Sequence, residues 1–358
     1  FSYSGSSYII YSTYLKYSKN FDLKIARGDR VMRLKAIALM VCCFILLFFM
    51  GDAEAKNIKM AAVFQTPIEE PWDGAVHQGC IEASKELNVP YEFTEKVGAA
   101  DFERVLREYA ERGFDLIVGD AFLAGEESVR RVAKDYPNIA FAFGSEYKPQ
   151  EPNLSVFDNW IHEPAYLCGV IAGRMTKTNV VGVVAAMPIN EVNRLVNAFK
   201  LGAQSVNPKV KVKIAYIGSW FDPPKAKEAA LAQIEAGADL IYAERFGVFE
   251  ACKERNVLAF GNMSDQHSLA PEVVVTSTCW NMKPTIKYCI ESVSNGQWKA
   301  QDLREYSMMA KGGAYLAPFY EFEKKLPKEV IAEVKSLEAK IKSGEFIVPI
   351  VETRPLSD

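Results

Sequence analysis

From Lys59 onward the chain alternates short apolar runs with amphipathic stretches. The runs Lys59–Phe64, Tyr91–Phe93, Leu116–Val118, Ile139–Phe143 and Leu154–Phe157 have the length and β-branched or aromatic content of strands. Between them, Ala75–Asn88, Phe102–Arg112 and Glu127–Asp135 read as helices closed by Asn88, Gly113 and Pro137. Repeated β-α-β order predicts a doubly wound parallel sheet. The rhythm restarts after about residue 163, where Val180–Ala185, Val212–Ile217, Leu240–Ala243, Val257–Phe260 and Val273–Thr276 are the predicted strands. The intervening helices are Glu191–Ser205, Lys225–Glu235 and Phe246–Glu254.

Beyond this point the character changes. Met282–Ser294 reads as a helix, Tyr306–Ala310 as a strand, and Lys328–Ser343 as a charged amphipathic helix. The expected division is lobe 1 at 57–160 with 280–320, lobe 2 at 161–279, and a C-terminal helix and tail, 321–358, packing on lobe 1. A chain that crosses between lobes more than once makes a hinged cleft.

The amino-terminal segment follows a different logic. Met32-Arg33-Leu34-Lys35 is a short cationic stretch, Ala36–Met50 is unbroken and apolar, and Ala53-Glu54-Ala55 has the small-x-small pattern of a cleavage site. Residues 32–55 therefore read as a secretory signal cleaved after Ala55, with an uncleaved anchor as the alternative. Cys42 and Cys43 lie in the middle of the apolar stretch rather than at its end, which disfavours lipidation. Residues 1–31 precede a plausible start methionine and read as an upstream extension or a disordered tail. The expected location is periplasmic.

A formal net charge of −3 with both signs interspersed gives no reason to invoke nucleic acid or a membrane surface as partner. Cys80, Cys168, Cys252, Cys279 and Cys289 have no regular spacing, so no disulfide framework can be read. His77, His162 and His267 are far apart and none sits at metal-ligand spacing, so no metal and no cofactor is expected. No nucleophile elbow, phosphate loop or zinc-protease motif is present, which argues against catalysis.

Two tryptophans carry the candidate chemistry. Trp72 and Trp220 each follow an apolar run that opens a strand-then-helix unit. Ligands of parallel α/β sheets collect beyond the carboxyl ends of the strands, so an aromatic there in each half can grip a flat molecule. Core packing is the competing reading for both.

The segments Glu163–Gly173, Leu201–Pro208, Gly218-Ser-Trp-Phe-Asp-Pro223, Ala236–Ile241 and Ile341–Pro349 resemble the basic membrane protein family of substrate-binding proteins, whose best-understood members are purine nucleoside receptors of ABC transporters. The resemblance covers Asn57–Val351. It implies a type I periplasmic binding protein fold, in which two doubly wound parallel-sheet lobes close on a ligand handed to an ABC permease and its ATPase. It also implies a purine stacked between two aromatics, here Trp72 and Trp220.

By the same resemblance, Asp73, Glu244 and Asp265 fall where the family places polar ligand contacts. Carboxylates there suit a nucleobase or a ribose diol. A salt bridge to Arg245 or Lys253 competes for Glu244, and a turn or capping role for Asp265. Trp280 departs from a position where nucleoside receptors tend to carry a charge, and a third aromatic there favours a bare base or another flat ligand. Asn159 and Trp160, in a segment that departs from the family pattern, and Phe122, after the third strand, complete the candidates. The leading expectation is capture of a planar purine-like ligand for an ABC permease. The alternatives are a ligand-binding partner of a membrane sensor, or an exported nucleoside-acting enzyme.

Overall fold

The computed structural model describes residues 56–358 apart from Leu123 and Ala124. The expected signal at 32–55 and the extension at 1–31 lie outside the described residues.

Five parallel strands form the first sheet: β1 (Met60–Val63), β2 (Tyr91–Thr94), β3 (Leu116–Asp120), β4 (Ala140–Gly144) and β5 (Leu154–Phe157), in the order β2-β1-β3-β4-β5. All residues of β1, β3, β4 and β5 are buried, as expected of strands covered by helices on both faces. Strand β2 lies at an edge, and its Glu92 and Phe93 are exposed. The covering helices are α1 (Pro71–Leu87), α2 (Ala99–Glu111) and α3 (Glu126–Asp135).

The second sheet contains β6 (Val180–Ala185), β7 (Lys211–Tyr216), β8 (Leu240–Ala243), β9 (Leu258–Met263), β10 (Val274–Trp280) and β11 (Ala314–Leu316), in the order β11-β10-β9-β8-β6-β7. All its pairings are parallel except that of β11 with β10. Its helices are α4 (His162–Met175), α5 (Asn190–Val206), α6 (Pro223–Glu235) and α7 (Val248–Arg255), followed by α8 (Lys283–Ser294), α9 (Phe322–Lys325) and α10 (Lys328–Ser343). These are two α/β lobes of the type I periplasmic binding fold that the resemblance implies.

Helices α4 and α5 pack at backbone contact. A Cβ on Gly169 would stand 2.1 Å from the Phe199 carbonyl oxygen, and one on Gly202 would stand 2.1 Å from that of Tyr166. These glycines belong to two of the motifs that carry the family resemblance, and helix packing is the physical reason for both.

Besides the unpredicted helix α4 and the extension of β10 to Trp280, the structure differs from the sequence reading in three places that bear on the site and the tail. Tyr306–Ala310 is not a strand: it falls in the 3-10 turns Arg304–Ser307 and Met309–Lys311, and the strand is Ala314–Leu316. The turn closes on Gly312, whose φ of 77° is left-handed, and on Gly313, where a Cβ would stand 1.8 Å from the Tyr306 oxygen. Helix α1 begins at Pro71 rather than Ala75, so Trp72 sits in its first turn.

The third difference concerns the C-terminal region, expected on lobe 1. Strand β11 joins the second sheet, and α10 packs on α4, where Arg174 donates to Glu333 at 2.7 and 2.8 Å. The tail then runs along α5, with Asn197 donating to the Val351 and Thr353 carbonyls, and ends with the Asp358 amide bonded to the Val212 oxygen of β7. Within the expected lobe 1 segment, α8 does pack against α1, and Val156 of β5 exchanges backbone bonds with Gln301 and Leu303.

Arg194 ties this arrangement together at the crossing. Its side chain, 2% exposed, donates to Asp158 just past β5 at 2.6 Å, to the Asn159 carbonyl at 3.2 Å and to Glu352 of the tail at 2.7 Å. Removing one member of a buried ion pair strands the other, so Arg194→Ala should cost about 3 kcal/mol or more in urea unfolding. Gly202→Ala should cost about 1–3 kcal/mol by overpacking. Arg104→Ala, whose pair with Asp101 is exposed, should change stability by less than about 1 kcal/mol. A loss at Arg194 no larger than that at Arg104 would contradict the assigned role.

Candidate functional site

A cleft of about 310 Å³ opens where the carboxyl ends of the parallel strands meet. Both sheets contribute to it. Thr66 and Glu70 follow β1, Asp120 ends β3 and Phe122 follows it, Glu146 follows β4, and Asn159 follows β5. From the second sheet come Glu191 after β6, Trp220 after β7, Glu244 after β8, and Asn262 and Met263 at the end of β9.

Trp72 is fixed by the start of α1. Glu70 caps the helix, accepting from the Trp72 amide at 2.8 Å and the Asp73 amide at 3.1 Å, and Pro71 supplies a preset φ at the first position. The indole then stacks on Phe157 at 5.8 Å and meets Phe122 edge-on at 5.6 Å. Gly144 leaves the necessary room: a Cβ there would stand 2.1 Å from Cη2 of the indole.

Trp220 is held by different means. It sits between β7 and α6, in a loop entered through Gly218 at φ 70° and closed by Asp222, which caps α6 by accepting from the Lys225 amide. Arg245 lies over the ring at 5.5 Å and donates to the Trp220 carbonyl at 3.0 Å. The side chain remains 39% exposed.

Of the nine candidates read from sequence, Trp72, Phe122, Asn159, Trp220 and Glu244 line this cleft, and four do not. Asp73 is behind the wall, where its carboxylate accepts from the Thr66 amide at 3.1 Å and from the Thr66 hydroxyl, so it positions a lining residue. Trp280 backs Trp72 at 5.0 Å, with its N–H spent on Ser307 at 3.2 Å. Trp160 is clamped between Arg194 at 3.6 Å and Arg304 at 4.1 Å, beside a neighbouring hollow. Asp265 accepts from the Tyr320 hydroxyl and the His267 amide and borders an adjoining groove that shares Glu70, Pro71, Phe246 and Met263 with the cleft.

Sequence reasoning passed over several lining groups. Asp120 was legible as the acid ending the Leu-Ile-Val-Gly-Asp strand. Glu191 resembles an ordinary first-turn acid of α5, and Phe221, Phe246 and Gln266 carry no local signal.

Glu244 accepts from the Ala186 amide at 2.9 Å and is paired to Arg245 through both carboxylate oxygens. Among the described residues, Asp120 and Glu191 have no such partner. Burial and the neighbouring Asp73 hold Asp120 well above the ordinary carboxylate range. Burial, with Asp158 and Glu244 nearby, pushes Glu191 up to about 8.

The folded protein thus holds a proton on Glu191 at pH values where the unfolded chain, with an ordinary carboxyl near 4.5, has lost it. That contribution to stability is complete below pH 4.5 and disappears as pH rises through 8. Glu191→Gln should therefore gain stability relative to the unsubstituted protein between pH 5.5 and 8.5, measured by urea midpoints without ligand. An unchanged difference across that range would remove the assignment.

Residues 58–352 match the family described as ABC transporter substrate-binding protein PnrA-like. A purine-binding protein of Brucella abortus (strain 2308) is 33% identical over 316 residues, covering 86% of this chain and 88% of that one. A putative ABC transporter glucose-binding protein of Haloferax volcanii is 34% identical over 70% of this chain and 64% of its own length. The fold is shared with a solute-binding protein of an ABC transporter system from Conexibacter woesei, at a TM-score of 0.67 and 23% identity over 82% of this chain and 99% of that one. The chain belongs to the PnrA-like family of ABC transporter substrate-binding proteins.

Proposed function

We propose that the protein captures a purine-like planar heterocycle, base or nucleoside, between its lobes and delivers it to an ABC permease and its ATPase. The observation that carries this reading is that Trp72 and Trp220, from opposite sheets, line one cleft at the strand ends. Phe122, Asn159 and Glu244 are the further ligand contacts proposed there. The purine-binding description of the Brucella relative supports the ligand class.

Binding needs no catalysis. Stacking is worth about 1 kcal/mol per aromatic pair beyond area burial, and charge-assisted bonds add direction. Lobe closure then presents the loaded form to the permease. The proposed location is periplasmic, reached through the cleaved signal at 32–55 without a lipid anchor, and the permease is the only contact with the membrane. Among the described residues no helix is long and apolar enough to cross a membrane.

A thermal-shift series with adenine, hypoxanthine, adenosine, inosine and D-glucose tests the reading. A purine at about 100 times its dissociation constant should stabilise the protein by about 2.7 kcal/mol. Trp72→Ala and Trp220→Ala should each weaken binding about tenfold or more, close to 1.4 kcal/mol. Gly144→Ala should weaken it similarly by displacing the Trp72 indole. A shift with glucose and none with any purine would replace the planar ligand by a sugar.

A further inference from the structure

The planar-ligand reading leaves the charge of the ligand open, and the cleft is strongly one-sided in charge. Glu70, Asp120, Glu146, Glu191 and Glu244 line it, against Arg245 as the one cation among the described lining residues. The Arg245 guanidinium is already engaged by both Glu244 oxygens and by the Trp220 carbonyl. Glu70 is engaged as the cap of α1.

Asp120 and Glu191 are left over. Each is 6% exposed, and each accepts one hydrogen bond among the described residues: Asp120 from the Phe122 amide at 2.8 Å, Glu191 from Asn159 Nδ2 at 2.6 Å. The charged groups facing Asp120 are Asp73, Glu70 and Asp158, all acids. Those facing Glu191 are Asp158 and Glu244 and two committed cations, Arg245 and Arg194. Carboxylates this buried need a proton or a positive partner.

The walls favour the same sign. Trp72, Phe122, Trp220, Phe221 and Phe246 line the cleft, and aromatic faces attract cations over neutral or anionic groups. A neutral ring would leave Asp120 and Glu191 holding protons in place of a positive partner. A protonated ring offers donors and charge together.

Building on the planar-ligand reading, we propose that the cleft selects a nitrogen heterocycle that is positively charged when bound, with Asp120 and Glu191 as its counter-charges. Amino-substituted, protonatable rings are preferred to oxo-substituted rings of the same shape, and phosphorylated forms are rejected.

The test is isothermal titration calorimetry at pH 6 with inosine as the neutral oxo ring and two cationic rings, 1-methyladenosine and 7-methylguanosine, whose methyl groups lie on different edges. At least one cationic ring should bind about tenfold or more tighter than inosine. Glu191→Gln and Asp120→Asn, each checked for folding by its melting temperature, should reduce that ratio at least about threefold. If neither cationic ring outcompetes inosine, or if both variants fold and keep the ratio, the charge proposal fails while capture of planar rings stands. If no purine of any charge binds, the planar-ligand reading fails and takes this proposal with it.

Discussion

Eight parallel strands from two sheets end at one gap, and that convergence governs the rest of the molecule. Helices cover both faces of such sheets, so the strand ends are the places where side chains can reach a ligand without breaking the core. Glu70, Asp120, Asn159, Glu191, Trp220 and Glu244 are far apart in sequence and meet only because every one of them lies at or beyond a carboxyl end. The core follows the same plan: one apolar cluster runs from β1 through α4 and α5 to α10, and two smaller ones fill the outer faces of the two sheets.

The molecule buries charge in two contrasting ways. At the crossing, Arg194 is matched to Asp158 and Glu352, and Trp160 stacks between it and Arg304. That group is satisfied internally and holds the crossing, the second lobe and the tail in one arrangement. In the cleft, Glu244 is matched to Arg245, while Asp120 and Glu191 have no ion-pair partner among the described residues. A buried carboxylate without a partner costs stability, and a binding protein has a use for that cost, because the ligand can relieve it.

The strands and most helices were legible because fully buried parallel strands read as continuous apolar runs and helices as amphipathic stretches between them. Trp72 and Trp220 were legible through their place after such runs. Trp160, Trp280 and Asp265 look the same by sequence but were drawn elsewhere by tertiary partners: two arginines, Ser307 and Tyr320. Asp120 and Glu191 escaped notice for the opposite reason. A strand-terminal acid and a first-turn helix acid have ordinary local roles, and only the meeting of two lobes shows that neither is ion-paired among the described residues. The packing of β11 and α10 on the second lobe was likewise beyond local pattern, since it depends on which surface the returning chain meets.

The most direct measurement is a crystal structure of the protein with adenine or adenosine bound. The account predicts the ring in the cleft between the two sheets, with its centroid 4.5–7 Å from the Trp72 or Trp220 ring and a donor edge toward Asp120 or Glu191, distances of the order found for aromatic pairs. A ring bound outside that cleft, or inside it without contact to either indole, would contradict the account.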